Sequence, residues 1–210
     1  MIPVQILAVQ YLPGAAIGLC DALGIPSGCH SLGLLTTDCD DATYIALDEA
    51  TKAADVRVSY SHSFYAGAGN ATTPNAGEVI GILAGRTPGA VRSGMEAALK
   101  LLETVGFSEI AGVPYLAYTV NRSGSFLSRE AGVPEGTPLA YLIAPPLESI
   151  CGLDAALKAA DVKLCKFYAP PSETNFGGGL LCGTPAACEA ACAAFARAVT
   201  EIANHPKKKE

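Results

Sequence analysis

The string ALDEATKAADVRV, residues 46–58, returns as GLDAALKAADVKL at residues 152–164. Eight of the thirteen positions are identical and two more exchange Arg for Lys and Val for Leu, more agreement than a shared helical composition produces. The match runs through both halves at an offset near 106, the spacing from Asp48 to Asp154. The chain therefore reads as one unit of about 100 residues written twice, a usual domain size. A recurring unit has to fold in each copy, so two similar domains are expected, residues 1–108 and 109–210.

Each copy opens with an apolar strand (4–9 and 115–120), followed by a short helix that stops at Gly24 or Gly132. A second strand, 31–35 or 138–142, leads into the repeated helix. That helix starts behind Asp40-Asp41 in one copy and behind Pro145-Pro146 in the other, two different ways of beginning a helix. The third strand reads VRVSY or VKLCKF, and the fourth EVIGILAG or GLLCG. Each copy closes with a helix whose entry is Thr87-Pro88 or Thr184-Pro185, a cap residue with proline in the first turn. Four strands and about three helices per copy predict an α/β fold, helices packed on a mostly antiparallel four-stranded sheet. Ala50, Ala53 and Ala54, repeated as Ala156, Ala159 and Ala160, are expected to keep the crossover helix thin against its neighbours.

Half of the residues are apolar, so both copies can bury a core. With a formal charge of −6 and no basic stretch before Lys207–Lys209, the chain offers nucleic acid no electrostatic footing. The apolar start, residues 2–19, is not a signal peptide, because the first basic residue is Lys52; Pro13-Gly14 breaks the run short of a membrane span. A cytosolic address with reduced thiols follows, since none of the eight cysteines shows Cys-x-x-Cys spacing. Cys188 and Cys192 lie four apart on the last helix, as metal ligands can, but their counterparts are Val91 and Met95. Together with Phe195 and Val199, matching Ala98 and Leu102, they read as small buried hydrophobes, and no metal site is expected.

These residues also carry a family resemblance. The run DAALKAADVKL (154–164) resembles the signature helix of bacterial microcompartment shell domains. More specifically, residues 31–56, SFYAGAGN (63–70), AGEVIGILAG (76–85), NRSGSFLS (121–128), AYLIAPPLES (140–149), SETNF (172–176) and AACEAAC (186–192) resemble the ethanolamine-utilisation shell proteins. The resemblance spans nearly the whole chain. It implies two tandem, circularly permuted shell domains per chain and a homotrimer with a pseudo-hexagonal outline. Such trimers tile with neighbouring shell proteins into a layer around enzymes, inside the cytoplasm. The implied role is a permeable wall component with no cofactor and no catalysis. The shortened N-terminus and the Lys-rich tail depart from the family's pattern.

Residues present in only one copy are candidates for function, because what the fold needs is present in both. The first difference is the connection after the third strand, which spans residues 57–86 in one copy and only 163–183 in the other. Its longer version, residues 59–77, exceeds an ordinary hairpin loop, and the shorter, 169–179, ends in three glycines. Around a threefold axis, three copies of each would meet and form or close a channel. The resemblance implies a gated central pore at Phe64, Tyr65 and Asn70 and at Glu173, Thr174, Asn175 and Phe176; plain solvent-exposed loops are the alternative.

The second difference is acidic. Asp38, Asp40 and Asp41 stand opposite Ala144, Pro146 and Leu147, and Glu78 has no acidic counterpart. Asp40 or Asp41 suits a helix N-cap, worth roughly 1 kcal/mol, but capping does not account for all four carboxylates. The resemblance implies an ethanolamine site at Asp40, Glu78 and the backbone near Phe107. Carboxylates fit that ligand, a small cation whose ammonium donates charge-assisted hydrogen bonds. Lys52 and Lys158 complement helix C-termini, and the resemblance also places the matching lysine on the edge where tiles meet.

Three other readings compete. An enzyme would have to build on Asp-Cys-Asp-Asp with His30 or His62, and no nucleophile–base or ligand spacing supports one. A shell paralogue of a propanediol or ethanol compartment would share the fold but lack the pairing of Asp40 with Glu78. A trimeric small-molecule sensor would bind ligand without tiling.

Overall fold

The computed structural model describes residues 1–65, 77–172 and 174–205. The chain divides into two compact units. The first holds Pro3–Val105 together with the short segment Gly124–Leu127; the second holds Met1–Ile2, Gly106–Ser123 and Ser128 onward.

In the first unit, β1 (Ile6–Leu12), β2 (Ser31–Thr37), β3 (Val56–Tyr65) and β4 (Gly77–Gly85) form an antiparallel sheet in the order β1-β2-β4-β3. Alternation along the strands sorts side chains to two faces. Leu32, Ile82 and Ala84 face one way, packing with Cys20 of the short helix α1 (Ile17–Ala22), Ile25 and Cys29. On the other face lie α2 (Asp40–Ala53) and α3 (Pro88–Leu102). There a Cβ at Gly33 would stand 2.8 Å from Val91 and 3.0 Å from Met95, and one at Gly81 would collide with Leu47. Glycine at these two strand positions lets the helices settle directly on the sheet.

The second unit repeats this plan. Its sheet runs β5 (Ser108–Ile110), β6 (Val113–Val120), β7 (Leu139–Ala144), β9 (Gly177–Gly183) and β8 (Val162–Tyr168), antiparallel throughout. Helices α5 (Pro146–Ala159) and α6 (Pro185–Asn204) cover one face. Helix α4 (Ser125–Ala131) is shared by sequence, its residues up to Leu127 belonging to the first unit and those from Ser128 to the second. The predicted last-helix stripes are core in both units: Val91, Met95, Ala98 and Leu102, and Cys188, Cys192, Phe195 and Val199, are all buried. Burial pushes the Cys188 thiol up to about 11, and the Thr119 hydroxyl lies 3.4 Å from the Cys192 sulfur. Both thiols act as small core groups.

Several boundaries differ from expectation. The opening strand of the first copy is Ile6–Leu12, shifted toward the chain's interior, and it pairs with β2 from Leu32 to Thr37. β3 continues to Tyr65, absorbing the first seven residues of the expected loop, because SYSHSFY alternates polar and aromatic residues and, past an irregularity at Ser59, pairs with β4 from Tyr60 to Tyr65. The three glycines that close the second loop are strand residues, not a flexible hinge. Gly177, Gly178 and Gly179 pair with Ala144, Ile143 and Leu142. Gly178 has φ +153°, and a Cβ there would run into the Leu142 carbonyl, so these glycines admit close backbone approach. The second sheet gains a fifth strand, β5, through the turn at Ala111-Gly112, where both residues have positive φ. Of the crossover alanines, Ala50 and Ala156 are buried as expected, whereas Ala53 and Ala159 face solvent one turn on.

The repeat also conceals a volume exchange. Gly152 and Phe195, which meet in the second unit, correspond in the repeat to Ala46 and Ala98, both buried in the first. A Cβ at Gly152 would stand 2.6 Å from the Phe195 ring. The matched pair carries two methyl groups in one copy and a single ring in the other.

Candidate functional site

The carboxylates present in only one copy gather at one end of the first sheet. Asp38 leaves the end of β2, Asp40 and Asp41 open α2, and Glu78 begins β4. Asp38, Asp40 and Asp41 are 6%, 5% and 7% exposed. Three buried carboxyl groups this close are costly unless protonated, hydrogen-bonded or matched by a cation.

Each has a specific setting. The Gln5 N–H donates to Asp38 Oδ1 at 2.7 Å, and the Asp38 N–H returns a bond to the Gln5 carbonyl. Burial still holds the Asp38 carboxyl above its ordinary range, and the nearby Glu78 charge adds to this. Burial pushes Asp40 well above the carboxylate range, the charge of Asp41 adding to it, against hydrogen bonds from the Asp41 N–H at 2.8 Å and from Ser63. Ser63 lies on β3 opposite Val79, the neighbour of Glu78. Asp38, Asp40, Ser63 and Glu78 are thus brought to one corner by four different elements. Sequence reasoning missed Ser63, because it was assigned to the loop; the alternation in SYSHSFY was the available signal.

Neither Asp40 nor Asp41 is the N-cap of α2. Cys39 holds that position with extended φ −145° and ψ 107°. The Thr37 hydroxyl accepts the Cys39 N–H at 3.2 Å, and the Thr43 hydroxyl donates to the Cys39 carbonyl at 2.8 Å. These two threonines set the turn, which displaces both aspartates into the first helical turn, where the helix dipole still favours negative charge.

Asp48, identical in both copies at the sequence level, has a second role that the repeat did not announce. It is fully buried and accepts the Gly124 N–H at 2.7 Å and the Leu127 N–H at 2.8 Å, while the Thr51 hydroxyl accepts the Ser125 N–H at 3.0 Å. Tyr44 completes the arrangement, its ring 5.9 Å from that of Phe126. Burial raises the Asp48 carboxyl, and the two N–H donors and Lys52 oppose the rise.

The remaining candidates are placed as follows. Phe107 belongs to the second unit, buried, with its ring 5.7 Å from Phe176 and its carbonyl accepting the Ile2 N–H at 2.6 Å. Thr174 and Phe176 are buried and Asn175 is exposed, in a turn closed by the Ser172 N–H donating to the Phe176 carbonyl. Asn70, Glu173 and the Lys-rich tail lie outside the described residues, as do the side chains of Phe64 and Tyr65. Lys52 and Lys158 sit in the last turns of α2 and α5; Lys52 pairs with Glu49, and Lys158 with Asp154 at 2.7 Å. Among the described residues, no three His, Cys, Asp or Glu stand where one metal ion could be held. No described helix is long and apolar enough to cross a membrane.

Comparison with known proteins agrees with this architecture. A family model for the BMC domain matches residues 31–113. The bacterial microcompartment shell protein EutL of Clostridium perfringens is 54% identical over 96% of this chain and 95% of its own length. The Escherichia coli EutL is 46% identical over 96% and 94%. The crystal structure of the ethanolamine utilization protein EutL from Leptotrichia buccalis superposes with a TM-score of 0.93 at 53% identity, covering 99% of this chain and 98% of that one. With a doubled α/β unit, matching topology and identity of this extent over nearly the full length, this chain belongs to the EutL family of structural shell proteins of bacterial microcompartments.

Proposed function

We propose that the chain is a gated wall tile of an ethanolamine-utilisation compartment. Three copies close into a homotrimer around a central pore, and the two unequal loops after the third strand of each unit form or close it. Ethanolamine bound in the first unit biases the gate, and Lys52 and Lys158 meet neighbouring tiles at the edge. The observation that carries this reading is the contrast within the repeat: three buried aspartates beside Glu78 in the first unit, against Ala144, Pro146 and Leu147 in the second. A duplicated fold that needed no carboxylates in one copy did not need them for stability in the other.

The chemistry suits a small cation. Ethanolamine's ammonium can donate to Asp40 and Glu78 where burial leaves ionised carboxylates poorly solvated, so its positive charge restores what desolvation removed. The Phe107 backbone enters this reading from the family resemblance alone. A ceiling of roughly −1.5 kcal/mol per non-hydrogen atom limits so small a ligand to about −6 kcal/mol, tens of micromolar at best. Because Asp40 binds a proton more readily than an ordinary carboxylate, ligand binding displaces that proton. Affinity therefore weakens as pH falls through the raised pKa. The ligand shifts the gate only by its differential affinity for the two states.

Calorimetry with ethanolamine on the wild type, Glu78→Gln and Asp40→Asn tests the site. Binding in the wild type that each substitution weakens at least about tenfold is the expected result; undiminished binding in both variants defeats it. For the wall itself, concentrated protein should form sheets visible by electron microscopy.

A further inference from the structure

Strand β8 carries an extra residue against β9. Leu164 pairs with Leu181 and Lys166 with Leu180, which leaves Cys165 between them without a ladder partner. The same bulge stands in the first unit, where Val58 pairs with Leu83, Tyr60 with Ile82, and Ser59 is the extra residue. There the Ser59 hydroxyl is buried and finds no hydrogen-bond partner among the described residues, and Ala84, which stands where β9 has Cys182, has no polar side-chain atom to offer. In the second unit both positions are thiols. They are in hydrogen-bonding contact, and the Cys182 N–H also reaches the Cys165 sulfur. Both are half-buried, and β8 is the last strand of its sheet, so a small molecule has an open edge to approach. Burial, with the Cys182 thiol beside it, pushes the Cys165 thiol up to about 11, against the Cys182 N–H and the Lys163 charge. Its hydrogen has a further acceptor in the Lys163 carbonyl, 3.5 Å away.

We propose that Cys165 and Cys182 form a reversible dithiol clasp, oxidised by exchange with a small-molecule disulfide, that ties the edge strand β8 to β9. A bulge that both copies keep carries a matched pair of thiols in only one, so the pair answers to something other than the fold. A sulfur–sulfur bond of about 2.05 Å requires side chains that meet by rotation alone, and these two are already in contact. Cys188 also feels Cys182, but it is fully buried in the core under α6. In the exchange, one protein thiolate attacks the small disulfide RS–SR, forms a mixed disulfide and releases RS⁻. The second thiolate attacks the protein sulfur of that bond, closes Cys165 onto Cys182 and releases the other RS⁻. The two thiol protons end on the two released thiols; the protein loses two electrons and the small disulfide gains them.

Peptide mapping of the full chain tests the clasp, after equilibration across a series of reduced-to-oxidised glutathione ratios and an acid quench. The expected product is an intrachain disulfide between Cys165 and Cys182, with a loss of two titratable thiols that neither Cys165→Ser nor Cys182→Ala shows. These variants install the residues that the first unit has at the same two positions, where the bulge folds without thiols. The oxidised chain should melt at least about 4 °C above the reduced one, because the bond constrains the unfolded chain, and should lose that rise in excess dithiothreitol. A pair that stays reduced at every ratio, one that stops at a glutathione adduct, or a bond from Cys182 to Cys188 overturns the proposal. So does a Cys165–Cys182 bond that leaves the melting temperature unchanged. Neither readout depends on whether the chain tiles or binds ethanolamine.

Discussion

Helices α2 and α5 carry copies of one sequence and inhabit different surroundings. Asp48 on α2 is fully buried and binds two backbone N–H groups, while its copy Asp154 on α5 is exposed and paired with Lys158. At the start of the helices the contrast runs through chemistry instead: α2 opens on buried Asp40 and Asp41, α5 on Pro146 and exposed Leu147. Identity of sequence kept the fold of the two helices. It did not keep their environments, because a helix face is defined as much by what covers it as by its own side chains.

The sharpest way to break the comparison is to remove the shared aspartate from each copy. Asp48→Ala leaves the Gly124 and Leu127 N–H groups buried without acceptors and should cost about 3 kcal/mol in urea unfolding. Asp154→Ala removes a surface pair and should change stability by less than about 0.5 kcal/mol. Equal losses would show that the two helices are equivalent after all.

Next in size is the volume exchange. Gly152→Ala puts a methyl group into the Phe195 ring and should destabilise by about 2 kcal/mol, although alanine is the better helix former. Ala46→Gly in the other copy should cost about 1.5 kcal/mol, helix propensity and the loss of a buried methyl acting together. A stabilised Gly152→Ala would mean that the ring has room to move.

A smaller effect follows from the carboxylates. In the ligand-free protein Asp38, Asp40 and Asp48 all have raised pKa values, so above the ordinary carboxylate range the folded chain holds more protons than the unfolded one. Their contribution to stability is complete below the unfolded pKa and declines as pH rises through the folded values, then levels off. Asp40→Asn should flatten part of that decline and stabilise the ligand-free protein at pH 8 by about 1 kcal/mol. Melting temperature against pH, for wild type and variant, checks both the sign and the assignment to the first unit. An unchanged slope would remove Asp40 from it.

The smallest difference is expected where the copies agree. Thr87 and Thr184 each accept an N–H three residues on, at 3.2 Å, ahead of a first-turn proline. Thr87→Ala and Thr184→Ala should each cost about 1 kcal/mol. Unequal losses would locate a difference in the last helices that their geometry does not contain.

What was legible in the sequence was what repeats or alternates. The doubled unit, the antiparallel sheets, the Thr-Pro helix starts and the buried faces of the last helices all follow from local pattern, including the reading of Cys188 and Cys192 as core. So did the carboxylate cluster as a set, because subtracting one copy from the other isolates it. Ser63 was not legible as its partner, since a hydroxyl in a run of serines has no distinguishing spacing. Nor was the capping role of Thr37 and Thr43, which displaced two residues with stronger cap propensity.

The sequence by itself determined that the chain folds as two versions of one α/β unit, since periodicity and caps act over a few residues and are written in both copies. Only the tertiary structure decided which copy of a residue is covered. Asp48 and Asp154 sit in nearly identical strings, and no local rule separates them. Burial is set by a segment 76 residues further on, Gly124 against Asp48, and contacts at that separation leave no periodic trace along the chain.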